Sequence, residues 1–396
     1  MKILHTSDWH LGQNFMGKSR QKEHEAFLSW LLETIQKENI DVLIVAGDIF
    51  DTGNPPNYAL ELYYNFLKKL FIIDNLYVII TAGNHDSIAT LKAPKQLLEA
   101  MNIFVITSGD SEENELISIY KNEQLQGVVC AVPFLRDSVV RQAISGQTIS
   151  DKESSLNNGI KQHYIDVYEE AIALTKENNL PIIATGHLTT VGGRTSESER
   201  DIYIGGTLDI GSDFLGKYFD YVALGHLHIN QIVAVDHVRY SGSPIALSFS
   251  ESKQTKKVNI ITFNQNDKKA NVESIDIPNY RKLQVLKGDL ETILKELEAI
   301  EDKTTWCEIH LKDKNPLLAN QTIREYADEN ELSILAIKID RTEKKLQAKD
   351  LDVISLDELN PSEVFHRRIE LEALEDQEFV DELNLNFKKV LEKVSL

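Results

Sequence analysis

The chain has 396 residues, 42% hydrophobic and 26% charged, and its 42 Lys and Arg stand against 62 Asp and Glu for a formal net charge of −20. That length exceeds one ordinary core, so two or three domains are expected, and the apolar share excludes wholesale disorder. The longest apolar runs, VLIVAG at 42–47 and YVIITAG at 77–83, fall far short of a membrane span, and the acidic balance argues against a broad basic face for nucleic acid.

The first strand-like run is KILHT (2–6). It carries one lysine and no long apolar stretch, unlike a secretory leader, so a cytoplasmic location is expected. SDWH follows, placing Asp8 and His10 just past the run. In KEHEAFLSWLLETIQKENI (22–40), Phe27, Leu31, Leu32 and Ile35 recur at helical spacing. DVLIVAG (41–47) is the second strand, with Asp48 and Asp51 beyond it in GDIFD. NYALELYYNFLKKLF (57–71) reads as a helix apolar on two faces, hence buried or at an interface. LYVIITAG (76–83) is the third strand, followed by Asn84, His85 and Asp86 in GNHD. NIFVI (102–106) is a further strand, and 115–134 reads as a hairpin leading into another. The polar stretch SGQTISDKESSLNNG (145–159) reads as a surface loop. PIIATG (181–186) ends at His187, and YVALG (221–225) ends at His226 and His228. Arg194 and Arg200 lie in the Gly-rich loop between those two strands, where they either touch phosphates or are solvated loop charges. Strands that are apolar throughout, alternating with helices, predict an α/β layered domain over 1–275, its sheets buried on both faces.

Beyond it, 281–345 alternates strand and helix as a small α+β domain, and 346–359 is an acidic linker. The tail, 360–396, opens on Asn360, Pro361 and Glu363 in the positions of a capped helix. Its apolar stripes have no core of their own, and Phe365, Ile369, Leu383, Phe387 and Val390 are expected to meet a partner or pack back on the small domain. Cys130 and Cys307 fall in no ligand-like spacing and are expected as buried thiols.

A single histidine or aspartate past a strand is ordinary turn chemistry, and His5, His24, His163, His237, His310 and His366 are read as structural or surface residues. Five stretches of one grammar are different: each sets an Asp, Asn or His at the carboxyl end of a strand, where α/β sheets build their sites. Oxygen and imidazole donors without thiolate favour Mn²⁺, Fe or Zn²⁺. Asp8, His10, Asp48, Asn84, His187, His226 and His228 make a set long enough for two ions sharing a carboxylate, and two such ions can drive an in-line phosphoryl displacement. His85 is the spare imidazole for the departing oxygen, and Asp51 a residue to orient it.

The series DxH, GDxxD, GNHD, GH and GHxH resembles the calcineurin-like metallophosphoesterases. GHLTTVGG (186–193), RDIYIGGTLDI (200–210), YVALGHLH (221–228) and YSGSPIALSFSE (240–251) resemble the bacterial SbcD nuclease subunits, counterparts of the Mre-type nucleases. The resemblance implies a metallophosphoesterase sandwich with a capping domain and helical tail. It implies one Mn²⁺ on Asp8, His10, Asp48 and His228 and a second on Asp48, Asn84, His187 and His226, with His85 catalytic beside Asp51. It also implies exonuclease action on double-stranded DNA ends, endonuclease action on single strands and hairpins, and an SbcC-type ATPase partner docked on the tail. A homodimer contact near 57–71 is implied as well. A related phosphodiesterase with a small substrate is the alternative, and a metal-free scaffold is opposed by the unbroken ligand set.

Overall fold

The computed structural model describes residues 1–110, 114–140, 149–175, 179–199, 211–264, 267–339, 383 and 387. The chain divides into two units, Met1–Asp340 and Arg341–Leu396.

Two six-stranded sheets form the centre of the first unit. One runs Asn271–Asp276, Lys257–Thr262, Lys2–Thr6, Val42–Ala46, Tyr77–Thr81, Ile103–Ile106; the other runs Gln231–Val233, Val235–Tyr240, Tyr221–Gly225, Ile182–His187, Gln124–Cys130, Leu116–Lys121. Lys257–Thr262, Asn271–Asp276, Gln231–Val233 and Leu116–Lys121 join antiparallel, and the remaining neighbours are parallel. Side chains alternate faces along a strand, which explains the unbroken apolar runs. From Val42–Ala46, Val42 and Ile44 meet Ile183, Tyr221 and Ala223 of the other sheet, while Leu43 and Val45 pack under helix Gln21–Lys37 with Phe27, Leu31 and Ile35. The opposite sheet is covered by Ile149–Thr175 and Ser212–Tyr218. Helix, sheet, sheet and helix make four layers, and the strand ends open at one edge.

The stretch expected as a loop at 145–159 is a correction. Residues 149 onward belong to helix Ile149–Thr175. Among the described side chains of that stretch Leu156 is buried, and its stripe continues with Ile160 and Tyr164 further on. Gly159, which reads as turn chemistry, serves close packing instead: a Cβ there would sit 2.3 Å from the Val140 carbonyl oxygen.

Helix Asn57–Leu70 answers its two-faced pattern by burying Ala59, Tyr63, Phe66, Leu67 and Leu70 and leaving Tyr64 exposed, with Phe71 and Ile72 exposed just beyond it. Strands Leu283–Gly288, Trp306–Leu311 and Ser333–Ile339 form a third sheet, wholly parallel because helices Leu290–Glu298 and Pro316–Glu329 cross between them. Its seam with the sandwich stacks Phe15 on Trp306 at 5.6 Å and holds the buried Arg20 guanidinium 5.2 Å and 5.3 Å from those two rings. Cys130 and Cys307 are buried free thiols. No described helix is long and apolar enough to cross a membrane. Of the tail, Leu383 and Phe387 are half-buried helical residues, while Phe365, Ile369 and Val390 lie outside the described residues, as does Arg200.

Candidate metal centre

The five strand ends converge. Donor atoms of Asp8, His10 and His228 lie within 4.8 Å of one another, as do those of Asp48, His187 and His226, and those of His10, Asp51 and His85. Asp48 joins the groups: its Oδ2 is 3.3 Å from His187 Nε2 and 3.6 Å from His10 Nε2. Asn84 Oδ1 lies 3.0 Å from His187 Nε2. All seven expected ligands are thus gathered in one place, though their sequence separations span more than half the chain.

The backbone is bent to achieve this. Asp8, His10, Asp48 and His226 have φ of 53°, 46°, 50° and 96°, a left-handed region that ordinary residues avoid and that clusters at functional sites. The glycines make room: a Cβ on Gly83 would fall 2.1 Å from Asp48 Oδ1, and one on Gly47 2.1 Å from His187 Nδ1. Main-chain donors hold the carboxylates. The His226 N–H donates to Asp8 Oδ1 at 2.8 Å and the His85 N–H to Asp48 Oδ1 at 2.9 Å. Asp86, fully inside the turn cluster, accepts from the N–H groups of Ile49, Phe50 and Gly83 and so locks two of the bent loops together.

The imidazoles are oriented by their Nδ1 atoms. His187 Nδ1 donates to the Ala46 carbonyl at 3.0 Å, and His10 Nδ1 faces the Asp51 carboxylate at 3.2 Å. His10 Nε2 is then a buried nitrogen without a hydrogen-bond partner, as expected of an atom meant for a cation. The expected role of Asp51 divides in two. Its carboxylate serves His10, and its main-chain carbonyl accepts from His85 Nδ1 at 2.7 Å.

Burial dominates the electrostatics. It pushes the Asp8 carboxyl up to about 7 despite the nearby His187. For Asp48 the same burial is outweighed by His187 and His10, which hold its carboxyl well below the usual range. His187 is raised to about 9, because Asp48 overcomes the burial that would lower it, while burial takes His226 down to about 3. Closely spaced carboxylates and imidazoles, with an orphan nitrogen among them, form a donor set suited to divalent cations.

Two further residues escaped the sequence reading. Arg136, half-buried, donates to the carbonyl of Asp86, the residue after His85, at 3.2 Å and makes no ion pair among the described residues. Glu251, fully buried, reaches the His228 side of the cluster through Ser198. YSGSPIALSFSE held Glu251 in plain view, but nothing local marks a glutamate as buried. Arg194 is exposed and bound through its main chain to Gln231. His5, His24, His163, His237 and His310 stand outside the cluster.

Residues 1–230 match the calcineurin-like phosphoesterase family, and the chain belongs to it. These are metal-dependent phosphoesterases, which accords with the clustered donors. Residues 279–373 match the type 5 capsule protein repressor C-terminal domain, the SbcD C-terminal type. The chain is 40% identical over 387 residues to the SbcD subunit of the nuclease SbcCD from Escherichia coli (strain K12), covering 96% of this chain and 95% of that protein. It is 30% identical over 316 residues to the same-named protein from Staphylococcus epidermidis, covering 80% and 79%, and 36% identical over 260 residues to that from Rhodobacter capsulatus, covering 63% and 64%. Within the phosphoesterases it is a member of the SbcD nuclease subunits.

Proposed function

We propose that this chain cuts DNA phosphodiesters with two divalent ions, Mn²⁺ foremost, as the nuclease subunit of a complex with an SbcC-type ATPase. The observation that carries this reading is the position of Asp48 Oδ2 between His187 and His10, at 3.3 Å and 3.6 Å, where one carboxylate can serve two cations. Asp8, His10, Asp48 and His228 would hold one ion, and Asp48, Asn84, His187 and His226 the other. When bound, the ions supply Lewis acidity at the phosphate and lower the pKa of water.

The chain's own residues do the rest. The carbonyl of Asp51 can only accept, so the proton on His85 sits at Nδ1 and leaves Nε2 facing away, available to the substrate. A second proton on that Nε2 would pass to the departing oxygen. The Asp51 carboxylate holds His10, which couples the proton donor to the ligand cluster through one residue. Arg136 and Arg194, with Arg200, would meet phosphates of the strand on a chain whose net charge is −20. The implied substrates are double-stranded ends for exonuclease action and single strands and hairpins for endonuclease action.

The division into a nuclease domain (1–275), a cap (281–345), a linker (346–359) and a docking tail (360–396) belongs to the same reading. Phe365, Ile369, Leu383, Phe387 and Val390 would contact the ATPase. Exposed Tyr64, Phe71 and Ile72 would pair two copies of this chain, in the cytoplasm.

The test uses linear duplex DNA and a chromogenic phosphodiester with Mn²⁺, each with and without the ATPase and ATP. Degradation of duplex ends in the complete mixture is expected. Turnover of the small diester with DNA intact in every arm would replace this reading with that of a small-molecule phosphodiesterase. A chain ending at Leu359 is expected to lose the ATPase and keep small-diester turnover; retained capture of the ATPase would remove the tail from the proposal.

A further inference from the structure

The LSFSE segment has no part in the mechanism above, yet it ends on a charged side chain with no solvent exposure. Glu251 is fully buried, and such a group must be paired. Lys256 Nζ reaches its Oε2 at 2.5 Å and also donates to the His228 carbonyl at 3.0 Å. On the other oxygen, Ser198 Oγ donates to Glu251 Oε1 at 2.6 Å. The same Ser198 Oγ lies 2.6 Å from His228 Nδ1.

Counting protons settles the direction of this chain. A carboxylate only accepts, and a serine hydroxyl has one hydrogen to give. Neighbouring Ser196 Oγ lies 2.7 Å from both Ser198 Oγ and Glu199 Oε2 and can give its own hydrogen to either, so it does not require the Ser198 hydrogen. With the Ser198 hydrogen committed to Glu251, the hydrogen between Ser198 and His228 must come from the ring. His228 therefore carries its proton on Nδ1, and Nε2 keeps the free lone pair. The rest of the turn is clamped as well: the His228 N–H donates to Glu199 Oε1 at 2.7 Å, and a Cβ on Gly242 would fall 2.8 Å from the His228 carbonyl oxygen.

We infer that Lys256, Glu251 and Ser198 form a relay that fixes the tautomer and aim of His228, so that Ser198 and Glu251 are positioning residues for one of the two cations. This rests on the assignment of His228 as a ligand. At Nδ1, His187 meets the Ala46 carbonyl and His10 the Asp51 carboxylate, whereas His228 meets a hydroxyl that is itself hydrogen-bonded to the buried Glu251. Partners of this kind, one step behind a ligand, change metal affinity by roughly 10- to 100-fold.

Mn²⁺ is titrated into the full chain by calorimetry for the wild type, Ser198→Ala, Ser198→Thr and His228→Ala, with folding checked by circular dichroism. The metal-free wild type, labelled with ¹⁵N-histidine, reports the His228 tautomer directly. Expected are a proton on Nδ1, a roughly 10- to 100-fold loss at one of two sites in Ser198→Ala, and restoration in Ser198→Thr. A proton on Nε2 in the wild type overturns the relay without any variant. Unchanged affinity in Ser198→Ala, with loss in His228→Ala, overturns the relay and leaves the ligand assignment standing. Unchanged affinity in His228→Ala removes both.

Discussion

The turn cluster around Asp48 and the three-stranded unit at 283–339 solve opposite problems with the same alphabet. In the small unit the local rules largely hold, although Glu331 takes a positive φ of 56° before the last strand. Asp289 caps helix Leu290–Glu298 by accepting from the Thr292 N–H at 3.0 Å, Asn315 and Pro316 start the next helix, and Ile293, Leu297, Ile309 and Ile323 fill an apolar core. In the turn cluster the rules are broken together. Four non-glycine residues take positive φ, carboxylates and imidazoles are buried side by side, and His10 Nε2 has no hydrogen-bond partner. A fold tolerates such strain where the surrounding sheets over-determine it, and it persists where it serves a site. The difference separates residues kept for stability from residues kept for chemistry.

Substitutions can break that contrast. Asp48→Ala is expected to lower phosphodiester hydrolysis by about 10³-fold or more, since charge stabilisation worth several kcal/mol goes with it; Mn²⁺ calorimetry should show both sites weakened. His85→Ala should slow hydrolysis by roughly 10²- to 10⁴-fold and leave Mn²⁺ affinity unchanged. A parallel loss of affinity would place His85 among the ligands instead. Acid should act on stability rather than on ligand number at His5 and His24, which burial pushes down to about 3. Between that value and the ordinary 6.5 the unfolded chain binds protons that the folded chain refuses. Stability is therefore full above pH 6.5 and falls as the pH drops, by about 2 kcal/mol per ring at pH 5. Melting curves of the wild type and His24→Gln across that window would differ in slope by one ring's share; parallel curves would contradict the burial argument. The smallest effect belongs to the obedient region: Asp289→Ala should cost about 1 kcal/mol in a melt and leave hydrolysis untouched.

The contrast also explains what could be read in advance. VLIVA (42–46) and YVALG declare themselves because a strand buried on both faces is apolar along its length, a property of the local run. The clustered donors and their place past strand ends were legible for the same reason, with Gly47, Gly83 and Gly225 marking the bends. Helix Ile149–Thr175 was hidden at its start because its apolar stripe begins late and is completed by packing on a distant sheet. Asp51 lies beside His10 and His85, but its division between them depends on which of its oxygens each ring meets.

By itself, then, the sequence determined the strands, their ends and the donor set, because periodicity and turn chemistry act over a few residues, while a two-layer and a four-layer sandwich both stayed open. Tertiary structure alone decided which ring nitrogen of His10, His85, His187 and His228 meets a neighbour, that Glu251 is buried against Lys256, and that Arg136 reaches the Asp86 carbonyl. Those are contacts between segments brought together only when the sheets pack, and burial changes the meaning of a charge that looks ordinary in the chain.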